Sequence, residues 1–334
     1  MKENDAVQNT IKVGIIGVGG FAHQHIKNLV DLPDAQIVAL ADIDDGRIAA
    51  ARERFPQLAD VATFQDYHEM LAGVQMDAVV IATPHTLHFE QAMAALDNNL
   101  HVLVEKPMVC RVAHAKELIR KSEEKKRVLM IGYHRHFAPQ YRYIKKTVED
   151  GTLGDVMFVA ALQCQGWKRG TAGTWRQDPA LSGGGQLNDS GSHLLDAVLW
   201  TTGLSASLVH AFIDNRGSQV DINSALSLEF VGGAQGTISI VGDAPCWHED
   251  FTISGTKGAI FYRNGKLMHC AENGKLTEPT DLPLAGNIDK GFVECILGRD
   301  GNWVPPTCGL RVIELTEAAW ESARSGKPCT VARA

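Results

Sequence analysis

One segment of the sequence brings together residues that can move a proton. It runs from Trp175 to Asp196, where a glycine-rich turn leads into a predicted helix that reaches about Trp200. On a helix, Asp189 and His193 are i,i+4 neighbours, so their side chains can meet. A carboxylate can orient an imidazole and raise its basicity, as a proton-accepting histidine requires. The alternative is an ordinary solvated polar helix face.

Glycine in this segment indicates a close neighbour. Gly185 and Gly191 lie within or beside the predicted helix. An interior glycine costs about 1 kcal/mol relative to alanine. We therefore expect another part of the molecule, or a ligand, to approach the backbone here.

A second motif could bind a dinucleotide. The first predicted strand leads into Gly17-Val18-Gly19-Gly20-Phe21-Ala22. Gly17 would allow the tight turn, Gly19 the close approach of a pyrophosphate, and the small Ala22 close helix packing. The phosphates would then meet free N–H groups at a helix N-terminus. A glycine-rich turn without a ligand is the alternative.

The end of the second predicted strand indicates which dinucleotide. Asp42 follows Ala41 at about the expected distance of some 20 residues from the glycine motif. A carboxylate here can accept hydrogen bonds from both adenosine ribose hydroxyls and would repel a 2′-phosphate. Ile43 occupies a position where an NADP site often has a cation or hydroxyl group. The sequence therefore predicts NAD as the cofactor.

Two further strand ends should reach the same edge of the sheet. Thr83 and Pro84 follow the fourth predicted strand, and Glu105 and Lys106 follow the fifth. Ligands bind at the carboxyl ends of such strands, so we assign these residues and His88 to the cofactor site. An N-cap and a surface charge pair are the structural alternatives. His85 and His88 are expected to be solvated or capping rather than metal ligands, and no metal is predicted.

The predicted elements that position these residues indicate an α/β protein. Short apolar runs alternate with helical stretches, which is typical of a doubly wound parallel sheet. The runs are Ile11–Ile16, Gln36–Ala41, Val61–Phe64, Asp77–Ala82, Leu100–Val104 and Val128–Ile131. From about residue 150, seven strands follow almost directly on one another, which favours a large, mainly antiparallel sheet. We predict a flexible tail at 1–10, a Rossmann dinucleotide-binding domain at 11–132 and a second domain at 133–334.

Composition excludes several functions. The chain has 334 residues, with 32 Lys+Arg against 39 Asp+Glu and a net charge of −7, so it lacks the basic surplus of a nucleic-acid binder. No apolar run is long enough to span a membrane. The seven cysteines are scattered and lack a C-x-x-C spacing, which disfavours a disulfide framework or a zinc site. The N-terminus lacks an apolar signal segment, and we expect a cytoplasmic protein.

Taken together, the motifs resemble the Gfo/Idh/MocA family of NAD(P)-dependent sugar and polyol oxidoreductases. The resemblance covers nearly the whole chain. It implies a Rossmann domain followed by an α/β domain with a large open sheet that forms homodimers or homotetramers. It also implies that Lys106, Asp189 and His193 are the catalytic residues and that Glu105 and Lys106 lie beside the nicotinamide ribose. The Lys106–Pro107 bond is expected to be cis.

The resemblance assigns two more groups. Trp175 and Arg176 match a pair that borders the nicotinamide. Tyr133, His134 and Arg135 lie in a region near nicotinamide or substrate; many relatives carry an Asn or Arg pair there, so no relative's substrate can be transferred. The substrate-binding prediction comprises these three residues with Lys106, Asp189 and His193.

The expected reaction is oxidation of a secondary hydroxyl of a sugar, glycoside or cyclitol by hydride transfer to NAD. Two alternatives share the fold. One is an enzyme that retains NAD and uses a transient oxidation for redox-neutral chemistry such as glycosidic cleavage. The other is a non-catalytic NAD-sensing regulator, which has no need to keep Lys106, Asp189 and His193 together.

Overall fold

A computed structural model describes residues 10–332. The predicted tail at 1–10 lies almost wholly outside the described residues. The first half of the chain forms a six-stranded parallel sheet with strand order β3-β2-β1-β4-β5-β6, the doubly wound arrangement that the sequence predicts. Its strands are β1 Ile11–Ile16, β2 Ala35–Ala41, β3 Ala62–Phe64, β4 Ala78–Ile81, β5 His101–Val104 and β6 Leu129–Ile131.

Helices cover both faces of this sheet. They are α1 Ala22–Val30, α2 Asp45–Arg54, α3 Tyr67–Gly73, α4 His88–Asp97 and α5 Val112–Lys125. All four residues of β4 are buried, because a central parallel strand is covered on both sides. The order of the strands reverses between β1 and β4, and a crevice opens there at their carboxyl ends.

The second half forms a nine-stranded sheet with order β14-β13-β12-β11-β7-β10-β9-β8-β15. Its strands are β7 Val156–Cys164, β8 Ala206–Asp214, β9 Asn223–Phe230, β10 Gln235–Val241, β11 His248–Gly255, β12 Gly258–Arg263, β13 Lys266–Ala271, β14 Leu276–Thr277 and β15 Cys329–Thr330. All described pairings are antiparallel except that of β7 with β10. Burial alternates along β9, so one face is covered and the other is open.

Six α-helices accompany this sheet: α6 Pro139–Glu149, α7 Trp167–Gly170, α8 Pro179–Ser182, α9 Gly191–Thr202, α10 Ile288–Ile296 and α11 Pro306–Ser325. The long helix α11 packs against β8, α5 and α9. Helix α9 is almost entirely buried between α6, α11 and β7, which fixes its N-terminal turn at the crevice. All seven cysteines are unpaired. No helix within residues 10–332 is long and apolar enough to cross a membrane.

Candidate active site

The turn after β1 has the geometry that a dinucleotide requires. Gly17 has φ of +85°, which side chains disfavour, and a Cβ there would lie 2.8 Å from the backbone of Ala82. Both the backbone conformation and the lack of space therefore require glycine. A Cβ at Gly20 would meet nothing within 4 Å, which leaves space above the turn. Helix α1 begins at Ala22, whose side chain is fully buried. The open turn and the helix N-terminus fit a pyrophosphate.

Asp42 lies at the floor of the adjoining pocket. Its carboxylate is buried and accepts hydrogen bonds from the N–H groups of Val18 (2.7 Å) and Asp44 (3.0 Å). These bonds fix its direction at the position expected for the adenosine ribose. Arg47 Nη1 lies 3.9 Å from Asp42 Oδ2 and is half-exposed. Sequence reasoning missed this cation, because it lies in the next helix rather than directly after the acidic residue.

Thr83 and Pro84 line this pocket together with Asp42, Tyr67 and Leu181. Thr83 also lines a second pocket, which holds Phe21, Glu105, Lys106 and His193, so the two form one crevice. An extended dinucleotide fits such a crevice. Its adenosine end would lie near Asp42 and its nicotinamide end near Lys106.

Lys106 and Asp189 form the central ion pair of the second pocket. Lys106 lies two residues after the end of β5, and its peptide bond to Pro107 is cis, as the family resemblance implies. Its Nζ donates to Asp189 Oδ1 at 2.7 Å. The other carboxylate oxygen of Asp189 accepts from Trp167 Nε1 (2.8 Å) and Arg176 Nε (3.1 Å). Burial opposes ionisation, but Lys106, His85 and Arg176 together hold the pKa of Asp189 well below its usual range.

The expected contact between Asp189 and His193 is not formed. Helix α9 begins only at Gly191, so Asp189 precedes the helix and does not follow its i,i+4 geometry. Close packing explains this start. A Cβ at Gly191 would lie 2.6 Å from Ile240 Cδ1, and one at Gly185 would collide with the backbone of Asp221. The glycines therefore do mark close approach, and the partner is the protein itself.

His193 lies in the crevice beside Lys106, and one of its ring nitrogens, the buried Nδ1, has no hydrogen-bond partner among the described residues. Burial lowers the pKa of His193 well below 6.5, and the charges of Lys106 and Arg135 lower it further. The imidazole is thus neutral at neutral pH. Asp196, one turn further along α9, bonds to His136 inside the fold.

Of the two expected roles, solvated or capping, burial rules out the first: His85 and His88 are both buried and contact backbone carbonyl groups. His85 Nδ1 donates to the Ser182 carbonyl (3.1 Å), and its Nε2 lies 3.5 Å from Asp189 Oδ1. The ring nitrogens of His88 lie 2.8 Å from the Pro107 oxygen and 3.0 Å from the Thr83 oxygen. Burial lowers the pKa of His85, and it lowers that of His88 to about 4. His88 therefore connects the segment after β4 to the segment after β5.

The three predicted substrate-binding residues that follow β6, Tyr133, His134 and Arg135, have different surroundings. Tyr133 is fully buried and packs edge-on against His193 with the ring centres 5.9 Å apart, so it supports that residue and does not face substrate. Arg135 forms two bonds with the carboxylate of Glu249, at 2.7 and 2.9 Å. His134 is partly exposed and bonds to Glu105 at 3.3 Å.

Sequence reasoning missed one wall of the crevice. Gln165, directly after β7, and Ser190, directly before α9, line the same pocket as Lys106. Ser190 Oγ donates to Gln165 Oε1 at 2.9 Å and accepts from Gln163 Nε2 at 2.6 Å. Such amide and hydroxyl groups suit a ligand rich in hydroxyls. No motif marks these residues, because β7 and α9 meet only in the folded chain.

Trp175 lies at the boundary between the two pockets. It belongs to the strap, by which we mean residues 165–183, and lines both pockets. Its ring lies edge-on to His85 at 4.7 Å, and the Arg176 guanidinium lies over it at 4.4 Å. The strap is tied to the first half of the chain where Thr86 Oγ1 donates to the Ala180 carbonyl at 3.0 Å. Trp175 and Arg176 thus both line the pocket that holds Lys106.

Within residues 10–332, two clusters hold ligand-type atoms within 4.8 Å of one another: His25, Glu105 and His134, and His136, Asp196 and Cys308. In each cluster a histidine already bonds to a carboxylate, and its second nitrogen bonds to a further oxygen. These hydrogen bonds account for both groupings without a cation.

Comparison with known proteins decides the family. Residues 11–133 match the family description "Oxidoreductase family, NAD-binding Rossmann fold", and residues 141–261 match the GFO/IDH/MocA C-terminal domain. The chain belongs to the Gfo/Idh/MocA oxidoreductase family. It is therefore an oxidoreductase, and its cofactor is NAD, as the sequence predicts.

Curated members of the Gfo/Idh/MocA family resemble the chain over most of its length. It is 27% identical to the scyllo-inositol 2-dehydrogenase (NAD(+)) of Bacillus subtilis, over 79% of this chain and 76% of that protein. It is 28% identical to the D-xylose 1-dehydrogenase [NADP(+)] of Haloarcula marismortui, over 97% and 94% of the two chains. The crystal structure of aldose–aldose oxidoreductase from Caulobacter crescentus, complexed with glycerol, shares the fold. The identity is 23% and the TM-score 0.84, over 96% of this chain and 99% of that one.

Proposed function

We propose that this protein oxidises a secondary hydroxyl of a sugar, glycoside or cyclitol with NAD. The observation that carries the proposal is the pairing of a neutral histidine, His193, with a charged lysine, Lys106, in a crevice continuous with the dinucleotide pocket. The named activities of its relatives on inositol and xylose support this substrate class. The hydroxyl-binding wall of Gln165 and Ser190 suits it as well.

His193 takes the hydroxyl proton in this mechanism. Its imidazole is neutral and lines the crevice, so it can accept a proton without first losing one. The Lys106 ammonium donates a hydrogen bond to the same substrate oxygen and stabilises the negative charge that develops there. Bound NAD supplies the hydride acceptor.

Asp189 acts on Lys106 rather than on His193. Its carboxylate holds the Lys106 ammonium at 2.7 Å, and Trp167 and Arg176 hold the carboxylate in turn. This arrangement fixes the donor before substrate binds, which removes reorganisation from the reaction. Asp189 remains within reach of a neighbouring substrate hydroxyl.

The cofactor would be held along the rest of the crevice. We assign the pyrophosphate to the turn from Gly17 through Phe21 to Ala22, and the adenosine ribose to Asp42. Thr83, Pro84 and Trp175 would line its path, with Glu105 and Arg176 at the nicotinamide end. His134 bonds to Glu105 and is partly exposed, so it stays a candidate for binding substrate. Arg135 is held by Glu249 and would act through its charge, which lowers the pKa of His193.

A panel of inositols, aldoses and glycosides tests the proposal. Each compound is mixed with NAD and the protein, and the absorbance of reduced nicotinamide is followed. We expect turnover with at least one polyhydroxylated compound and none with a His193→Asn protein that still binds NAD. If the folded, NAD-binding protein reduced NAD with no member of the panel, the proposal would fail.

The strap favours a second candidate, an enzyme that keeps NAD bound between turnovers. Trp175 and Leu181 close over the adenosine pocket, and hydrogen bonds from Thr86 and His85 tie the strap down. Such closure would slow cofactor exchange and favour redox-neutral chemistry. Gel filtration of the NAD-loaded protein distinguishes the two: retained NAD with no net NADH from any sugar supports this candidate.

The second domain, at 133–334, is also proposed to make a homodimer or homotetramer. The open face of its sheet exposes Phe158, Phe212 and Phe261, and Phe212 is 71% exposed. Exposed aromatic side chains of this kind are typical of an interface between copies. Analytical ultracentrifugation tests this. The wild-type protein should be oligomeric, and Phe212→Glu should shift it towards the monomer.

A further inference from the structure

A buried ionic chain connects the cofactor crevice to a helix of the second domain. His25, in α1, lies between two carboxylates: its Nδ1 is 2.6 Å from Asp289 Oδ1, and its Nε2 is 3.0 Å from Glu105 Oε1. His25 and Asp289 are completely buried, and Glu105 is nearly so. The sequence separates His25 from Asp289 by 264 positions. Only the fold brings the three residues together.

His25 carries a positive charge in this position. Burial opposes protonation, but Asp289 and Glu105 outweigh it and raise the pKa of His25 to about 10. Both ring nitrogens then donate, one to each carboxylate. Glu105 has the opposite shift: although burial opposes its ionisation, His134 and His25 hold its pKa well below the usual range.

The surroundings restrict Glu105 to one direction. Its Oε2 accepts from the N–H of Lys106 at 3.2 Å. Gly132 makes room for the carboxylate, because a Cβ there would lie 2.6 Å from Glu105 Oε1. At the other end, Asn28 Nδ2 donates to Asp289 Oδ2 at 2.7 Å. Asp289 is thus held by α1 from two sides.

We propose that His25 is a positioning residue that aims the Glu105 carboxylate at the nicotinamide end of the cofactor, with Asp289 holding His25 from α10. The inference rests on the proposed function, which assigns Glu105 to the nicotinamide ribose. It makes a helix of the second domain part of the cofactor site, although no residue of that helix lines the crevice. In this role His25 acts through Glu105 and does not itself bind the cofactor.

Binding measurements separate this role from simple stabilisation. NAD contains the nicotinamide ribose, whereas ADP has only the adenosine and the two phosphates. In His25→Gln, an amide can donate in one direction but cannot bridge both carboxylates. We expect the Kd for NAD to rise about tenfold or more, the effect of losing a charged hydrogen bond, with the Kd for ADP unchanged. Lys27→Gln, an exposed change on the same helix, should alter neither Kd.

A pair of variants at Asp289 provides the conservative test. In Asp289→Asn the amide oxygen can still accept from His25, and the Asn28 amide can turn to accept from the new NH₂ group. We expect its Kd for NAD to stay within about threefold of wild type. Asp289→Leu cannot accept and should weaken NAD binding as His25→Gln does. Calorimetric melting of each variant confirms that it is folded.

Three results would overturn the proposal. The first is a wild-type NAD affinity in His25→Gln, and the second is an equal loss of NAD and ADP affinity, which indicates general damage. The third is stoichiometric zinc in the purified protein that disappears in His25→Gln, since His25 would then be a metal ligand. None of these measurements needs a sugar substrate. Failure to find dehydrogenation therefore leaves their result standing.

Discussion

Asp189 contacts Lys106 and not His193. The Lys106 ammonium lies 2.7 Å from Asp189 Oδ1, while His193 Nδ1 has no partner among the described residues. Of the three residues proposed for catalysis, Asp189 thus anchors Lys106, the hydrogen-bond donor. His193, the base, has no such anchor in the described part of the chain. This division sets what each substitution should do.

Asp189→Asn should reduce turnover through Lys106. An asparagine oxygen can still accept from Lys106, but it lacks the charge that fixes the ammonium, so we expect kcat to fall about 10- to 100-fold. The pH profile should keep its shape, because Asp189 does not bond to His193. Steady-state rates from pH 5 to 9 check this. A profile displaced by a full pH unit or more would show that Asp189 does act on His193.

The pH dependence of the wild-type rate should reflect the lowered pKa of His193. A base is active when deprotonated, and burial with the Lys106 charge keeps His193 deprotonated at neutral pH. The rate should therefore rise with pH only below the reference value of about 6.5 and be level above it. A rise centred at or above pH 6.5 in kcat/KM would contradict the assignment.

Stability should fall on both sides of neutrality. Burial lowers the pKa of His88 and of His101 to about 4, so the unfolded chain binds protons that the folded one does not below about pH 6.5. His25 has the opposite shift, to about 10, and its contribution is lost as pH rises from about 6.5 towards 10. Urea unfolding across pH 4.5 to 10 should show the highest free energy of unfolding between these two ranges. A free energy that keeps rising from pH 6.5 to 10 would show that His25 is not protonated in the folded state.

Cofactor choice should depend on Asp42 and Arg47 together. Asp42→Ala removes the acceptor for the ribose hydroxyls and leaves Arg47 close by, so the preference for NAD over NADP should fall about tenfold or more in kcat/KM. The double variant Asp42→Ala, Arg47→Ala should lose that gain in NADP use, because no cation remains. Unchanged cofactor ratios in both would show that the ribose lies elsewhere.

Gln165 should affect the substrate alone. Replacement by leucine keeps the size but removes the amide that faces the crevice, and we expect KM for the sugar to rise about tenfold. The KM for NAD should not change, because Gln165 lines the Lys106 pocket and not the adenosine pocket. A matched rise in both values would indicate a general distortion of β7 instead.

The sequence predicts the parts of the site that depend on local structure. Gly17 and Asp42 follow β1 and β2 directly, and a parallel sheet brings such strand ends to one edge. The sequence predicts the strands of the first half within a residue or so of their observed ends, because all of them except the edge strand β3 are largely buried apolar runs. Cofactor and family could be inferred from these features.

Packing between distant segments could not be predicted from local sequence in this way. Gly185 packs against Asp221 and Gly191 against Ile240, and α9 begins only at Gly191, so helical periodicity wrongly predicts Asp189 as part of the helix. The burial of His85 follows from its contact with Ser182 in the strap. Gln165 and the bond between His25 and Asp289 likewise have no local signal.

The turnover of His193→Asn tests the central claim most directly. A positioned base contributes about 10²- to 10⁴-fold, so kcat should fall by that factor on whichever sugar or cyclitol the wild-type protein oxidises. The Kd for NAD, measured by titration on the same sample, should remain within about threefold of wild type. A His193→Asn protein that binds NAD normally and turns over at the wild-type rate would contradict the account.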